Sequence, residues 1–413
     1  MTQDCCATPK TSLIPVETAR TRILERVRPV SGTEYVPLAG ALDRVLAVDV
    51  ASPIDVPAFD NSAMDGYAVR HADLAAGTPL RVVGRALAGA PFDGHVGPGE
   101  AVRIMTGAPL PAGADTVVMQ EQTRLEGETL FVEGEHRPAE HVRRAGEDLR
   151  RGTTVLPAGH RLGVADIGLL ASVGVSEVPV RRRARVAFFS TGDELVPPGR
   201  PLAPGEIYDS NRQVLRAALQ RLGVELHDLG ILPDDRAATE QRLGEAAALA
   251  DAVVTSGGVS VGEADYVKET VERLGELDLW RIRIKPGKPL AVGRIGSTLF
   301  FGLPGNPVST LVTFMQFVRP ALEKLSGTEP RPPLALEVPL AEPIDRHPGR
   351  QEYLRGRLER DAQGALRVRP NGAQGSHVMT SFRGADCFIV LPPEAAHVEA
   401  GARVRVEPFC GLP

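Results

Sequence analysis

The sequence has few cysteines, few aromatic residues and no long apolar run. Cysteine occurs four times in 413 residues, and aromatic residues make up 4% of the chain. The cysteines show neither a CxxC pair nor a Cys/His ligand spacing, which argues against a disulfide scaffold or a zinc site. No apolar stretch reaches the roughly 18 residues of a membrane span, and the start MTQDCCATPK lacks a secretory signal pattern. We therefore expect a cytoplasmic protein without a membrane partner.

The chain also lacks an excess of positive charge. Lysine and arginine number 47 against 52 aspartates and glutamates, so the net charge is −5. Proteins that bind nucleic acid or membrane surfaces are usually basic, so no nucleic-acid partner is expected. The one basic run, RRRAR at 181–185, falls at a domain junction and is interpreted as a solvated linker. If the ligand is an anion, the cations that bind it must be gathered locally.

The chain is long enough for two to four domains. Glycine and proline are abundant, which indicates many turns between short elements. Helical spacing predicts helices over 16–29, 38–50 and 162–174, whereas 79–150 contains short β-branched strands with Gly and Pro between them. From about residue 184, strands alternate with helices, which predicts a parallel sheet with helices on its faces. One of these helices, SNRQVLRAALQRLG, is expected to be capped by Ser210 or Asn211. After the Pro-rich GTEPRPPLA, short strands predict a small β-barrel or sandwich.

Three loops that follow strands in the α/β part are acidic. TSGGVSVGEAD (255–265) combines Gly257 and Gly258, which allow backbone N–H groups to approach a phosphate, with Asp265 near a helix start. STGDEL (190–195) and LPDD (232–235) supply further carboxylates. Strand ends in one parallel sheet converge, and converging carboxylates repel one another unless a cation or proton is present. Oxygen ligands of this kind suit Mg²⁺, although each acid taken alone is more often simply solvated.

Two further loops are rigid and carry groups that hold anions. KPGKP (285–289) places Lys285 and Lys288 around a Pro-Gly turn, and GLPGNP (302–307) precedes a helix. Taken in isolation, the lysines are as well explained as surface residues. The chain contains no P-loop, GxSxG elbow, HExxH or dinucleotide GxGxxG, so a hydrolase triad or NAD chemistry has no support.

The motifs taken together resemble the MoeA family of molybdopterin molybdenumtransferases, whose pattern also forms the C-terminal domain of gephyrin. They are FDNSAMDGYA, RIMTGAPLP, STGDEL, TSGGVSVGEADY, IKPGKP, GLPGNPVS and QGSH, in this order, and the resemblance runs from about residue 10 to 413. The only evident departure is Thr255, where the usual loop has Ser. Seven ordered motifs are far more specific than any one of them.

The resemblance implies an elongated homodimer of four-part subunits. Residues 1–52 and 151–184 would form a helical and strand connector, and 53–150 an inserted β-rich module. Residues 185–330 would form a three-layer α/β molybdopterin-binding domain, and 331–413 a C-terminal β-barrel. It also implies the reaction: molybdate is inserted into adenylylated molybdopterin, AMP is released, and molybdenum cofactor results, with Mg²⁺ assisting. Molybdopterin adenylyltransferase and apo-molybdoenzymes are the handover partners this implies.

Site roles follow from the resemblance by motif position. The acids Glu194, Asp235 and Asp265 are expected to hold Mg²⁺ and act in cleavage of the adenylyl bond. Asp60 and Thr106 are expected to complete the cleft of the partner subunit. Lys285, Lys288 and Arg355 are the candidates for holding the anion. The remaining expected substrate-binding residues are Asp148, Gly257, Gly258, Ser260, Pro304, Pro307 and Ser376.

Three alternatives remain beside this interpretation. A molybdopterin adenylyltransferase would need only the α/β domain, leaving roughly 230 residues without a purpose. A scaffold of the gephyrin type would need a fused trimeric domain, which this sequence does not contain. A nucleotide pyrophosphatase that shares the GG-loop domain would lack the combination of IKPGKP and DNSAMDGYAV.

Overall fold

The computed structural model describes residues 13–74, 78–258 and 266–409. The chain divides into two compact units: residues 35–180 form the smaller unit, and residues up to 34 together with those from 181 onward form the larger unit. This division groups the first helix with the α/β part, whereas the sequence assigned residues 1–52 to the connector. The four-part boundaries stay a prediction. Within the described ranges, no helix combines the length and apolar character needed to cross a bilayer.

A six-stranded sheet forms the centre of the larger unit. Its strands, in spatial order, are Glu225–Leu232, Arg185–Thr191, Ala252–Ser256, Thr298–Leu303, Pro289–Ile295 and Glu276–Arg281. The first four are parallel, as predicted, and Pro289–Ile295 is antiparallel to both of its neighbours, so it alone runs against the other five strands. Gly296 and Ser297 alone connect Pro289–Ile295 to Thr298–Leu303, and so short a connection can join only antiparallel strands.

Helices cover both faces of this sheet because its strands are apolar on both sides. Along Arg185–Thr191, Val186 and Phe188 enter one buried cluster, and Ala187 and Phe189 enter another on the opposite face. The first cluster is covered by the helices Val16–Arg26, Ser210–Arg221, Pro307–Thr313 and Arg319–Leu325, with a π-helical turn at Phe314–Val318. The second is covered by Arg236–Leu249 and Tyr266–Leu274. The three-layer expectation is thereby confirmed.

A second sheet follows in the C-terminal part of the larger unit. Its strands lie in the order Ile284–Lys285, Gln351–Arg360, Cys387–Leu391, Arg403–Pro408 and Leu336–Pro339, and Leu366–Pro370 pairs with Gln351–Arg360. Leu340, which follows Leu336–Pro339, forms a bridge with Val368 of Leu366–Pro370, and this closes the sheet as expected for a barrel. The short strands Ile344–Asp345 and His397–Val398 pair beside it, and Met379–Phe382 forms a 3-10 turn. Because Ile284–Lys285 pairs with Gln351 and Glu352, the KPGKP turn is attached to this sheet.

The smaller unit contains a six-stranded β sheet and a connector. The sheet order is Thr116–Met119, Gly66–Val69, Glu100–Ile104, Leu80–Ala86, Thr129–Val132 and Thr123–Glu126. Short elements accompany it: Asn61–Ser62 pairs with Val142–Arg143, His71–Leu74 is a single helical turn, and Gln120–Gln122 is a 3-10 turn. The connector contains the helix Val164–Ser172, the paired strands Val50–Ala51 and Thr154–Leu156, and the strands Thr33–Pro37 and Glu177–Arg181.

Two sequence-based helix predictions need correction. The helix predicted over 38–50 is only the 3-10 turn Leu38–Gly40, because the backbone of the following residues bonds elsewhere. The amide of Leu46 donates to the carbonyl of His160, and that of Ala47 donates to Pro179. The cap of Ser210–Arg221 is Asp209 rather than Ser210 or Asn211, and its carboxylate accepts the amide of Arg212.

Candidate functional site

A side chain would be strained at either of the two glycines that follow the strand Ala252–Ser256. Gly257 and Gly258 both have positive φ, +88° and +65°. A Cβ on Gly257 would lie 2.9 Å from the carbonyl oxygen of Thr191, and one on Gly258 would lie 2.7 Å from Cγ2 of Val267. The amide of Gly257 donates to the carbonyl of Leu303, so this glycine shapes the turn. Ser260 and Asp265, which the sequence assigns to the same loop, lie outside the described residues.

A cavity of about 860 Å³ lies between this loop, the KPGKP turn and the C-terminal sheet. Pockets of a few hundred to a thousand Å³ are typical of small-molecule sites. Three sequence candidates with positive charge, Lys285, Lys288 and Arg355, line it together. Pro304 and Ser376 also line it. Sequence reasoning missed the other polar lining residues, which are Arg350, Glu352, Asn306, Ser309 and Gln374.

Arg355 is fully buried, yet its guanidinium has partners on several sides. Nε donates to Oγ of Ser381 at 2.8 Å, Nη1 to the carbonyl of Tyr353 at 3.2 Å and Nη2 to that of Gly375 at 3.4 Å. Burial lowers the pKa of Arg355 to about 10, and the group remains protonated near neutral pH. The side chain therefore presents a fixed charged fork at the cavity wall, a geometry suited to an oxyanion.

The two lysines of the turn have different surroundings. Nζ of Lys285 lies 2.7 Å from Oε1 of buried Glu352, whose Oε2 lies 2.9 Å from Nε of Arg346. Lys288 is exposed and forms no ion pair with any residue in the described part of the chain. Part of the charge of Lys285 is therefore offset by Glu352, whereas the charge of Lys288 is available to a ligand.

The GLPGNP and QGSH loops meet at the same cavity. Nδ2 of Asn306 donates to Oγ of Ser376 at 3.2 Å, and the amide of Val308 donates to the carbonyl of Ser376. The carbonyl of Pro304 accepts from Oγ1 of Thr310, and Pro307 occupies the first position of the helix Pro307–Thr313. Both prolines therefore shape the loop, and Ser376 is held where it can contact a ligand.

A second cavity, of about 380 Å³, is acidic and borders the first. Glu194, Asp209 and Asp234 line it, and it shares Gly257, Gly258 and Gly305 with the larger cavity. Pro307 also lines it. The two cavities therefore meet at the glycine loop, one with basic side chains and the other with acidic ones.

The acid that lies beside Glu194 is Asp234. Burial raises the pKa of Asp234, and the charges of Asp193 and Glu194 raise it further. The amide of Asp234 donates to Oδ1 of Asp193 at 3.1 Å, which holds the two loops together. Asp235, the residue that the sequence favoured in LPDD, instead caps the helix Arg236–Leu249 by accepting the amide of Ala238 at 2.7 Å. The sequence could not show which of the adjacent acids Asp234 and Asp235 would face the site, because the residues that follow the end of a strand no longer alternate between its two faces.

The donor chemistry of this group fits a hard divalent cation. Mutual repulsion among carboxylates is what a bound cation relieves, and oxygen ligands are those that Mg²⁺ prefers. Among residues 13–74, 78–258 and 266–409, however, no three His, Cys, Asp or Glu side chains are grouped closely enough to hold a metal ion. The assignment of Glu194, Asp235 and Asp265 as metal ligands stays a prediction, and Asp234 is a further candidate.

Asp60, Thr106 and Asp148 lie in the smaller unit. Oδ1 of Asp60 accepts the amide of Ala145, which lowers the pKa of this carboxyl, and Oδ2 lies 2.5 Å from Nη1 of Arg144. Thr106 donates through its amide and its hydroxyl to Oδ1 of Asp65, at 2.7 and 2.8 Å. Asp148 is exposed. Their contribution to a partner's cleft stays a prediction.

Family models place this site in a molybdopterin-binding protein. Residues 187–324 match a probable molybdopterin binding domain, residues 14–174 match the MoeA N-terminal region (domain I and II), and residues 337–409 match the MoeA C-terminal region (domain IV). The three matches account for both units and for both sides of the larger cavity.

Whole-chain relatives agree with these matches. The chain is 45% identical to a molybdopterin molybdenumtransferase of Haemophilus influenzae, over 96% of this chain and 99% of the relative. A molybdopterin molybdenumtransferase of Nostoc sp. is 39% identical, over 91% and 88%. The crystal structure of a molybdopterin biosynthesis moeA protein from Pyrococcus horikoshii OT3 has a TM-score of 0.84 at 28% identity, over 96% and 100%. The chain belongs to the molybdopterin molybdenumtransferase (MoeA) family, which confirms the resemblance found in the sequence.

Proposed function

We propose that this protein is an enzyme that inserts molybdate into adenylylated molybdopterin and releases AMP, yielding molybdenum cofactor. The observation that carries the proposal is the cavity in which Lys285, Lys288, Arg350 and Arg355 converge beside the glycine loop. A protein with net charge −5 repels a dianion at a distance, so a local group of cations is what molybdate binding requires. The full-length match to named transferases supports the same reaction.

The test is to incubate the protein with adenylylated molybdopterin and molybdate, then measure AMP release and reconstitution of an apo-molybdoenzyme. Molybdate-dependent release of AMP together with reconstituted activity is the expected result. A parallel incubation with MgATP and molybdopterin tests the adenylyltransferase alternative. Pyrophosphate release in that incubation, with no AMP release in the first, would replace the proposal by that alternative.

Within this reaction, the basic cavity is assigned to molybdate. Arg355 is held by the protein on three sides and keeps its charge, so it orients an oxyanion without rearrangement. Lys288 supplies an exposed charge, and Lys285 supplies one that Glu352 holds in place. Ser376, fixed by Asn306, adds a hydroxyl. Gly258 is assigned to the phosphate groups of the pterin substrate, next to the molybdate.

The acidic cavity is assigned to Mg²⁺, held by Glu194 with Asp234 or Asp235 and with Asp265. When bound there, the ion would neutralise the charge of the substrate's pyrophosphate. The neighbouring carboxylate of Asp193 links the two strand-end loops, because it accepts the amide of Asp234. Loss of AMP release in a folded Asp265→Ala variant is expected, and unchanged release would remove this residue from the site.

The functional unit is proposed to be a homodimer in the cytoplasm, whose cleft is completed by Asp60 and Thr106 of the other subunit. An Asp60→Ala chain mixed with an Asp265→Ala chain should then recover up to about a quarter of the wild-type activity. Random exchange makes about half of the dimers heterodimers, and each heterodimer has one intact site out of two. Absence of recovery, with subunit exchange confirmed, would place both residues in one subunit's site. Molybdopterin adenylyltransferase and apo-molybdoenzymes are the proposed handover partners.

A further inference from the structure

A buried carboxylate lies among the cations that line the basic cavity. Glu352 is 4% exposed and lines this cavity together with Lys285, Lys288 and Arg355. A negative charge beside an anion opposes binding of that anion, and a buried acid is unfavourable unless it is paired. The presence of Glu352 in this wall therefore needs a reason other than affinity for the anion.

The sheet and a buried arginine hold the Glu352 carboxylate in place. Within the C-terminal sheet, the backbone of Glu352 pairs with Lys285 on one side and with Leu391 on the other. Oε2 lies 2.9 Å from Nε of Arg346, an ion pair without hydrogen-bond alignment. Arg346 is anchored in turn, because its side chain is 2% exposed and Nη1 donates to the carbonyl of Pro392 at 2.7 Å. The carboxylate therefore has little freedom to move.

Lys285 is the more exposed partner of this carboxylate. Its side chain is 41% exposed, and Nζ lies 2.7 Å from Oε1 of Glu352. An oxyanion hydrogen-bonded to the same ammonium would lie within about 5.5 Å of Oε1, because such bonds are about 2.8 Å long. A charge about 4–6 Å away changes an ionisation equilibrium by about ten- to a thousandfold, and the solvent around Lys285 leaves the lower end of that range. Glu352 should therefore weaken anion binding about tenfold.

We infer that Glu352 is a positioning residue, which orients Lys285 for the transfer of molybdate while it weakens molybdate binding. The inference rests on the proposed function, in which the anion is a substrate that is consumed and not a ligand that is stored. Tight binding of a substrate lowers its half-saturating concentration without speeding the chemical step, whereas an oriented donor speeds that step. The charge of Glu352 acts on binding and its reach acts on orientation, so substitutions can separate the two effects.

Glu352→Gln removes the charge and nearly keeps the size of the side chain. The dissociation constant of sodium molybdate, measured by calorimetry, should fall about tenfold. The rate of AMP release at saturating molybdate and adenylylated molybdopterin should fall at least about fivefold, because a neutral acceptor holds the Lys285 ammonium less firmly than a carboxylate does. Tighter binding together with slower turnover would not result from a general loss of structure.

Glu352→Asp keeps the charge but withdraws the carboxylate by one methylene. The dissociation constant of molybdate should stay within about threefold of the wild-type value, whereas AMP release should fall at least about fivefold. This variant decides the inference even if Glu352→Gln does not fold. Glu342→Gln is the matched control, because Glu342 pairs with Arg369 and is not among the described residues that line the basic cavity. Both quantities should be unchanged in it.

Weaker or unchanged molybdate binding in Glu352→Gln would overturn the inference, and so would unchanged AMP release in Glu352→Asp. Absence of molybdate binding to the wild-type protein would overturn it as well. Calorimetry does not depend on AMP release, so failure of the proposed function is distinguishable. Molybdate binding that tightens in Glu352→Gln, with no AMP release by the wild type, would remove the reaction and keep only the effect of Glu352 on the anion. Normal AMP release by the wild type with no tightening would leave the reaction standing and remove the inference.

Discussion

Replacing Lys288 by alanine should weaken molybdate binding without affecting the fold. The side chain is exposed and unpaired among the described residues, so its removal breaks no ion pair. The turn that carries it is held by other groups, because the carbonyl of Lys288 accepts the amide of Ile282 at 2.9 Å. We expect the free energy of unfolding to change by no more than about 0.5 kcal/mol.

The size of the effect follows from the exposure of Lys288. A hydrogen bond from a charged group contributes about 1.5–3 kcal/mol, or about ten- to a hundredfold in affinity. Solvent and salt screen an exposed charge, so the lower end applies, and the half-saturating molybdate concentration should rise about tenfold. The ratio between wild type and variant should shrink as salt is added.

The assay is a molybdate titration at saturating adenylylated molybdopterin, with cofactor formation measured by reconstitution of an apo-molybdoenzyme. Lys268→Ala is the control: it removes the same charge from the helix Tyr266–Leu274, away from the lining of the basic cavity. An equal rise of the half-saturating molybdate concentration in both variants would mean that the net charge of the protein, and not a contact with Lys288, determines molybdate binding. An unmoved molybdate requirement with weakened pterin binding would mean that Lys288 holds the pterin phosphate.

Three further predictions concern stability. Gly258→Ala should lower the free energy of unfolding in denaturant by about 1–3 kcal/mol more than Gly230→Ala, because both glycines have positive φ but only at Gly258 would a Cβ meet other atoms. Asp234→Asn should raise the melting temperature at about pH 7 but not at about pH 3. The pKa of Asp234 is raised in the folded state, so the wild-type protein loses stability as this carboxyl ionises, and Asn does not ionise. Glu352→Ala should cost about 3–5 kcal/mol in chemical unfolding, because two basic side chains lose their shared buried carboxylate, whereas Glu342→Ala at an exposed pair should cost under about 1 kcal/mol. A stabilising Gly258→Ala, a pH-independent Asp234→Asn or a neutral Glu352→Ala would contradict the respective assignment.

The fold could be predicted from sequence where local pattern and burial agree. The strand Arg185–Thr191 is apolar at successive positions because both of its faces are covered. The alternation of such strands with helices from about residue 184 predicted the sheet between two layers of helices. The segment 38–50 has helical spacing as well, but its amides bond to His160 and Pro179 across the chain. Pairing with distant segments overrides local propensity, and no local pattern records it.

The candidate site was only partly visible in the sequence for a related reason. Lys285, Lys288 and Arg355 were named from motifs, and the structure brings them to one cavity. Glu352 was missed because one of its two basic partners, Lys285, lies in a distant segment of the chain. The residues around Glu352 in the sequence do not reveal its contact with Lys285. That contact exists only because the strand Ile284–Lys285 pairs with the strand Gln351–Arg360.

The pairing of that short strand explains how one site can use charges from two sheets. Lys285 belongs by sequence to the α/β part, but its backbone is bonded to the C-terminal sheet three residues before Arg355. A shift between the two sheets would therefore move Lys285 with the C-terminal sheet and Gly258 with the α/β sheet. Because Glu352 also fixes the head group of Lys285, the spacing of Lys285 and Arg355 is set within one sheet. We therefore expect the spacing of the groups that bind molybdate to be rigid. The phosphate-binding loop lies on the other sheet, so we expect it to be able to adjust to the pterin substrate.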